Sequence, residues 1–231
     1  MLNKVKGNMY SFLNDYPTKG SNRGYTWNAI KGKCPHGCNY CFMNRFGEQK
    51  PIRFDKQELK IDLGKDNFVF IGSSCDMFAD EIVADWIINI FNHCKQFQNK
   101  YLFQTKNPEK LCQFWHCLPP NSIIGTTIET NRVFTEMGHT PLPLNRAKYM
   151  AQLSTQMATM IIIEPIMDFD TEPFLDLIHW CHPQWVNIGA DSQKHNLKEP
   201  SKEKINNLIE GLNKFTEVKI KKNMGRLLKR N

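Results

Sequence analysis

Three cysteines stand within one short stretch, Cys34-Pro-His-Gly-Cys38-Asn-Tyr-Cys41. Thiolates are the usual ligands of iron–sulfur clusters. A compact loop lets three of them reach separate irons of one cubane, and Gly37 gives the backbone the tight path this needs. With three protein ligands, one iron of a [4Fe–4S] cluster stays open, as catalysis requires; a cluster that only carries electrons generally takes four. The competing reading is a structural zinc loop, with His36 or another cysteine as fourth ligand. Structural zinc usually takes two Cys-x-x-Cys-like pairs, and no second pair is evident. Cys112 and Cys117 flank His116, but on or after a helix. The expected metal ligands are Cys34, Cys38 and Cys41.

Such chemistry needs a frame that gathers distant segments at one face. The rest of the chain alternates short β-like runs with longer helical ones. Residues 25–30 predict a first strand, ended by Lys31-Gly32. Further strands are expected at 67–71, 101–104, 122–128, 159–163, 185–188 and 218–220. The spacing of Ile82, Val83, Trp86, Ile90, Phe91, Cys94 and Phe97 predicts a helix over 79–97, with Asp80 and Glu81 favouring the dipole in its first turn. Asn107-Pro108 reads as a cap and first position of a helix reaching Trp115. Asn145, Thr171 and Ser201 are expected to cap three more. This alternation argues for a parallel sheet covered by helices, and six or seven such units wrap into a partial or complete (β/α) barrel. Chemistry in such folds gathers where the strands end at their C-terminal side. No linker interrupts the series, so one domain is expected over 1–231.

Hydrophobic residues make up 41% of the 231, enough for a real core. No run approaches the roughly 20 apolar residues of a membrane span, and the first ten residues contain no apolar signal region. A cytoplasmic protein with no membrane partner is the expectation, and in that compartment the eight cysteines favour free thiols over disulfides. The net charge is +7. The segment 217–231 is basic: no acidic residue follows Glu217, while Lys219, Lys221, Lys222, Arg226, Lys229 and Arg230 do. Such an end suits a polyanion such as nucleic acid; the plain alternative is a solvated terminus.

The Cys-x3-Cys-x-aromatic-Cys pattern resembles the signature of the radical S-adenosylmethionine (SAM) superfamily. The resemblance implies a radical SAM type of barrel, an open iron that chelates SAM, and reductive cleavage of SAM to a 5′-deoxyadenosyl radical that abstracts hydrogen from substrate. It also implies a reducing partner such as flavodoxin or ferredoxin. Members carry a glycine-containing motif after the second strand that contacts the SAM amino group; here Gly72-Ser73-Ser74 stands in that place, departing from the commonest Gly-Gly-Glu form. Thr127 and Glu129 match positions of polar ribose or carboxylate contacts, and Glu164 lies where the fifth strand opens on the active face. Thr26-Trp27-Asn28, the run Gly72 to Phe78, Gln104 to Glu109, Glu164-Pro165, Gly189 to Ser192 and Lys221-Lys222-Asn223 together look like a phage-associated branch of radical SAM-like proteins, distantly similar to spore photoproduct lyase, a DNA repair enzyme.

Within that frame Cys75 is a candidate catalytic thiol, able to give a hydrogen atom to a substrate radical; its plain reading is a small buried residue. Asp76 can hold a substrate group, and Asp80 is expected to cap the following helix. Lys106 reads as a phosphate or carboxylate ligand, or as a solvated loop lysine. Glu164 reads as a SAM or cation contact, or as half of a salt bridge inside the barrel. Arg45, Arg53, Arg132 and Arg146 are candidate anion anchors. DNA or RNA is the preferred substrate class. Peptide modification by the same chemistry, a noncatalytic metal-stabilised nucleic-acid-binding module, and ordinary methyl transfer are the alternatives. Methyl transfer ranks last because it has no use for the three thiols.

Overall fold

Apart from one small hairpin, the chain lays its strands side by side in the order in which it makes them. The computed structural model describes residues 1–5, 13 and 24–229. In chain order the strands are β1 (Asn3–Lys4), β2 (Gly24–Trp27), β3 (Ile30–Lys31), β4 (Arg53–Phe54), β5 (Phe68–Ile71), β6 (Lys100–Thr105), β7 (Ser122–Thr127), β8 (Ala158–Ile163), β9 (Trp185–Ile188) and β10 (Glu217–Ile220). Eight of them form one sheet in the order β1-β2-β5-β6-β7-β8-β9-β10, while β3 and β4 pair separately. Only β1 runs antiparallel to its neighbour in that sheet; β2 to β10 are parallel throughout.

A parallel step needs a crossover, and crossovers are right-handed. Because every step moves the same way, every connection falls on the same face. The helices are α1 (Ala84–Cys94), α2 (Pro108–Cys112), α3 (Pro143–Ser154), α4 (Thr171–Trp180), α5 (Lys202–Leu212) and α6 (Gly225–Leu228). Alternation along the strands sends Val69, Ile71, Phe103, Ile124, Ile161 and Ile163 into the core that also holds Ile87, Phe91, Met150, Phe174 and Leu208 of the helices. The intervening residues Phe68, Phe70, Leu102, Met160 and Ile162 form a second core with Val5 and Leu13. The result is an α/β partial barrel of seven parallel strands.

Local chemistry moved several boundaries. The first strand stops at Trp27 rather than at residue 30, because the side chain of Asn28 turns onto the loop after β5. Ile30 then belongs to the β3–β4 hairpin. The helix expected over 79–97 is α1, which begins only at Ala84. The chain before it is held open by Lys110, whose ammonium takes the carbonyls of Ala79, Asp80 and Ile82 at 2.7, 2.9 and 2.6 Å. Asp80 therefore caps nothing; its carboxylate accepts from Asn107 Nδ2 at 2.8 Å. Glu81 also falls outside the helix, and Asp85 is the acid of the first turn. Asn107 and Ser201 cap α2 and α5 as expected, accepting from Lys110 N and Lys204 N. Asn145 does not cap α3, which starts two residues earlier on Pro143, a residue preset for a first helical position. Thr171 is the first residue of α4, and Asp170 takes the cap position with its carboxylate given to Arg132. No helix among the described residues is long and apolar enough to cross a membrane.

Candidate active site

The cysteine loop lies at the C-terminal mouth of the sheet and is fastened there from two sides. Asn39 N–H donates to Glu136 O at 2.9 Å, and His139 N–H to His36 O at 2.7 Å. Gly138 makes this approach fit: its φ is +66°, and a Cβ there would stand 2.2 Å from His36 O. Gly37 takes a positive φ of 60°, the tight path expected of it. On the inner side, His36 Nε2 meets Asp76 Oδ2 at 2.8 Å. The other contacts of Asp76 are Thr105 Oγ1 at 3.0 Å, Lys106 N at 2.7 Å and Phe78 N at 3.0 Å. Asp76 therefore ties the loop to the ends of β5 and β6. Burial works against its charge, but His36 and the two backbone donors more than offset this and hold its pKa below the ordinary carboxylate value. His36 Nε2 is engaged by this carboxylate.

All eight cysteines are free thiols. Cys75 and Cys34 share a hydrogen bond that pulls the Cys34 thiol down and drives the Cys75 thiol up. Burial pushes Cys38 and Cys41 up, with Lys106 opposing it. Lys106 Nζ stands 3.4 Å from Cys38 Sγ.

Lys106 belongs to a buried network centred on Glu129, a residue with no solvent exposure. Glu129 Oε1 accepts from Tyr40 Oη at 2.5 Å and from Lys106 Nζ at 2.6 Å, while Oε2 accepts from Arg146 Nη1 at 2.8 Å. Lys106 also donates to Tyr40 Oη at 2.8 Å. Burial raises the Glu129 pKa, and the Arg146 and Lys106 charges reverse the effect and hold it well below the usual carboxylate range. Glu129 was expected to touch a ligand. In the structure its two oxygens accept from Lys106, Tyr40 and Arg146. Arg146, expected as an anion anchor, is wholly buried and spends its other donors on Pro141 O, Thr127 O and Thr140 Oγ1. Arg132 is likewise committed, to Asp168 and Asp170. Tyr40 stood in the sequence only as the aromatic before Cys41, and nothing there pairs it or Arg146 with Glu129.

The remaining expected residues distribute as follows. Gly72 turns the chain after β5 with φ +78° and donates to Trp27 O at 3.0 Å. Ser73 and Ser74 are held by Asn28, which donates to Ser73 Oγ at 3.1 Å and accepts from Ser74 N at 3.0 Å. Thr127 points into the barrel and accepts from Gln104 Nε2 at 3.1 Å. Glu164 is bound by Lys221 and by Asn223 Nδ2, across the mouth from the loop after β10. The salt bridge weighed as its alternative is thus present. Inside the barrel, the amide of Asn187 on β9 is buried with neither of its atoms hydrogen-bonded.

No known family and no curated protein matches the sequence. Solved structures do match. A spore photoproduct lyase mutant, solved with a dinucleoside spore photoproduct, superposes with a TM-score of 0.62 at 10% identity, over 85% of this chain and 75% of the other. SuiB of Streptococcus suis bound to the precursor peptide SuiA gives 0.56 at 12% identity, over 84% of this chain and 48% of the other. The same enzyme bound to S-adenosylmethionine gives 0.52 at 11% identity, over 84% and 49%. This is the fold of radical SAM enzymes. At these identities the likeness concerns the fold, so the chemistry has to be argued from the residues at the mouth.

The donor set fits a [4Fe–4S] cluster. Three free thiols lie on one clamped loop at the mouth, one of them is favoured as thiolate, and an ammonium stands against another. Among the described residues no three His, Cys, Asp or Glu side chains converge as one metal ion would need.

Proposed function

We propose that this chain is a radical SAM enzyme with its [4Fe–4S] cluster on Cys34, Cys38 and Cys41, acting on a nucleic acid or nucleotide. The observation that carries the reading is the clamped three-thiol loop, with Lys106 against Cys38, at the mouth of a singly wound parallel sheet. Bound there, the cluster and SAM supply a 5′-deoxyadenosyl radical by one-electron reductive cleavage, the electron coming from a partner such as flavodoxin or ferredoxin.

The chain's own residues bind and orient. Lys106, fixed by Glu129 and Tyr40, presents a positive charge beside Cys38 where the SAM carboxylate can be received. The Gly72-Ser73-Ser74 turn, braced by Asn28, would hold the SAM amino group. Asn187 offers an unspent donor and acceptor to a ligand within the barrel, and a buried amide left unpaired costs about 1–3 kcal/mol, which a ligand would recover. Cys75, buried beside the cysteine loop, is the thiol from which a substrate radical would draw a hydrogen atom. The nucleic-acid preference rests on the net charge of +7 and on the lyase with its dinucleoside. Peptide modification, the second reading, rests on SuiB with its precursor peptide.

The test is anaerobic reconstitution with iron and sulfide, reduction with dithionite, addition of SAM, and measurement of 5′-deoxyadenosine. The wild type is expected to form it and Cys38→Ala to form none. Stable zinc binding with no iron–sulfur cluster would overturn the reading in favour of a metal-stabilised binding module.

A further inference from the structure

Three of the six cations at the basic end of the chain are paired. Lys219 pairs with Glu217 at 3.6 Å, Lys221 with Glu164, and Arg226 with Glu199. A polyanion needs cations that are still available, and a denser group of these lies elsewhere. Between Lys31 and Lys60 the chain carries seven lysines and arginines against three acids, more than half of the net +7. Lys31 is itself paired, at 2.7 Å, with both Asp55 and Glu58. Arg45, Lys50 and Arg53 are exposed and make no ion pair among the described residues.

These cations surround a recess. Beside the 3-10 turn Phe42–Phe46 and the β3–β4 hairpin lies an open cavity of about 500 Å³, lined by Asn28, Met43, Phe46, Lys50, Arg53 and Ser74 among others. Glu48 and Glu58 also line it, and Glu58 is neutralised by Lys31. Phe46 is 59% exposed, an unusual state for a phenyl ring, and the Arg45 guanidinium lies 4.6 Å from its centroid. The inner end of the recess is the site itself: Met43 follows Cys41 by two residues, and Ser74 precedes Cys75.

We propose that this surface docks a single-stranded nucleic acid, with a base stacked on Phe46 and phosphates on Arg45, Lys50 and Arg53, so that the neighbouring nucleotide enters the recess toward the cysteine loop. The proposal rests on the radical SAM reading for what happens at the inner end, and on the surface alone for binding. Aromatic faces interleaved with cations are how proteins hold unpaired strands. Stacking on Phe46 needs an exposed base face, which a duplex withholds. The recess is of the size of a small-ligand pocket rather than of a groove that spans a helix.

The experiment measures binding of a fluorescent twelve-nucleotide oligo(dT), and its RNA counterpart, to the reconstituted protein over a range of salt concentrations. The double variant Lys50→Glu, Arg53→Glu is expected to weaken binding at least tenfold. It should also flatten the slope of log affinity against log salt by about 1.4, two single-strand phosphate contacts. Phe46→Ala should weaken binding about 5- to 150-fold, and Phe46→Trp should keep it. Lys222→Glu with Lys229→Glu, on the basic end, should leave it unchanged. Circular dichroism and thermal midpoint establish that each variant is folded, and the Phe46→Trp protein carries the test if the alanine variant is not. Loss of binding in the tail variant but not in the Lys50, Arg53 pair overturns the proposal. So does equal binding of an acidic peptide that ignores Phe46→Ala. The two claims separate: 5′-deoxyadenosine formed by a wild type that binds no oligonucleotide sinks the docking surface and spares the enzyme reading, while binding without SAM cleavage supports the surface and counts against the enzyme.

Discussion

Replacing Glu129 by Gln keeps the shape of the side chain and removes its charge. The consequence can be worked out from its partners. Arg146 has no solvent exposure, and Lys106 is 16% exposed in its side chain. Both lose their counter-charge together. Arg146 retains the carbonyls of Thr127 and Pro141, which satisfy its N–H groups without neutralising it. Breaking a buried pair by removing one partner costs about 3–5 kcal/mol, a large part of the roughly 5–15 kcal/mol that keeps a protein folded. At about 2–4 °C per kcal/mol for a chain of this size, the midpoint should fall by roughly 6–20 °C. Thermal and urea denaturation of wild type and variant at neutral pH are the assays. Adding Arg146→Gln to the variant should restore part of the loss, since no buried guanidinium then stands unpaired. The gap between wild type and Glu129→Gln should also depend on pH. The folded-state pKa of Glu129 is depressed, so its contribution is complete above the unfolded value of about 4.3 and is lost as pH falls below it. The two proteins should therefore converge in acid. A variant within about 1 kcal/mol of wild type at neutral pH, or a gap that widens in acid, would refute the claim that this network is an ionic one.

Other perturbations address the clamp and the turn. Gly138→Ala puts a Cβ 2.2 Å from His36 O at a φ of +66°; it should destabilise by more than about 1 kcal/mol and lower the iron retained after reconstitution. Gly225→Ala, with nothing within 4 Å of the new Cβ, should change neither, and equal iron retention in the two variants would sink the argument for a clamp. Asn28→Ala releases Ser73 and Ser74 at a cost of about 1 kcal/mol and should weaken SAM binding to the reconstituted protein, measured by titration calorimetry. An unchanged affinity would remove the Ser73–Ser74 turn from the SAM site.

What the sequence determined by itself is periodic or local. Short apolar runs placed β5 to β9 within a few residues, because a parallel strand buried on both faces is apolar almost throughout. The Cys-x3-Cys-x2-Cys spacing marked the cysteine loop as a candidate metal site because three thiols on eight residues need no tertiary structure to be near one another. Asn107 and Ser201 were readable as caps because a cap acts within three residues. The failures share a different character. Asp80 was readable as the cap of α1, and its actual partner, Asn107, lies 27 residues on. Glu129 was readable as polar at a strand end, but its partners Tyr40, Lys106 and Arg146 come from three other segments. Whether it meets a ligand or a neighbour is settled by which side chains the sheet brings within hydrogen-bond range. The same holds for the basic residues: the sequence counts charges, and the fold decides that Lys221 and Arg226 are paired while Lys50 and Arg53 face the solvent. A single charge has no sequence period, and its energy depends on partners and burial, both of which exist only once the chain is folded.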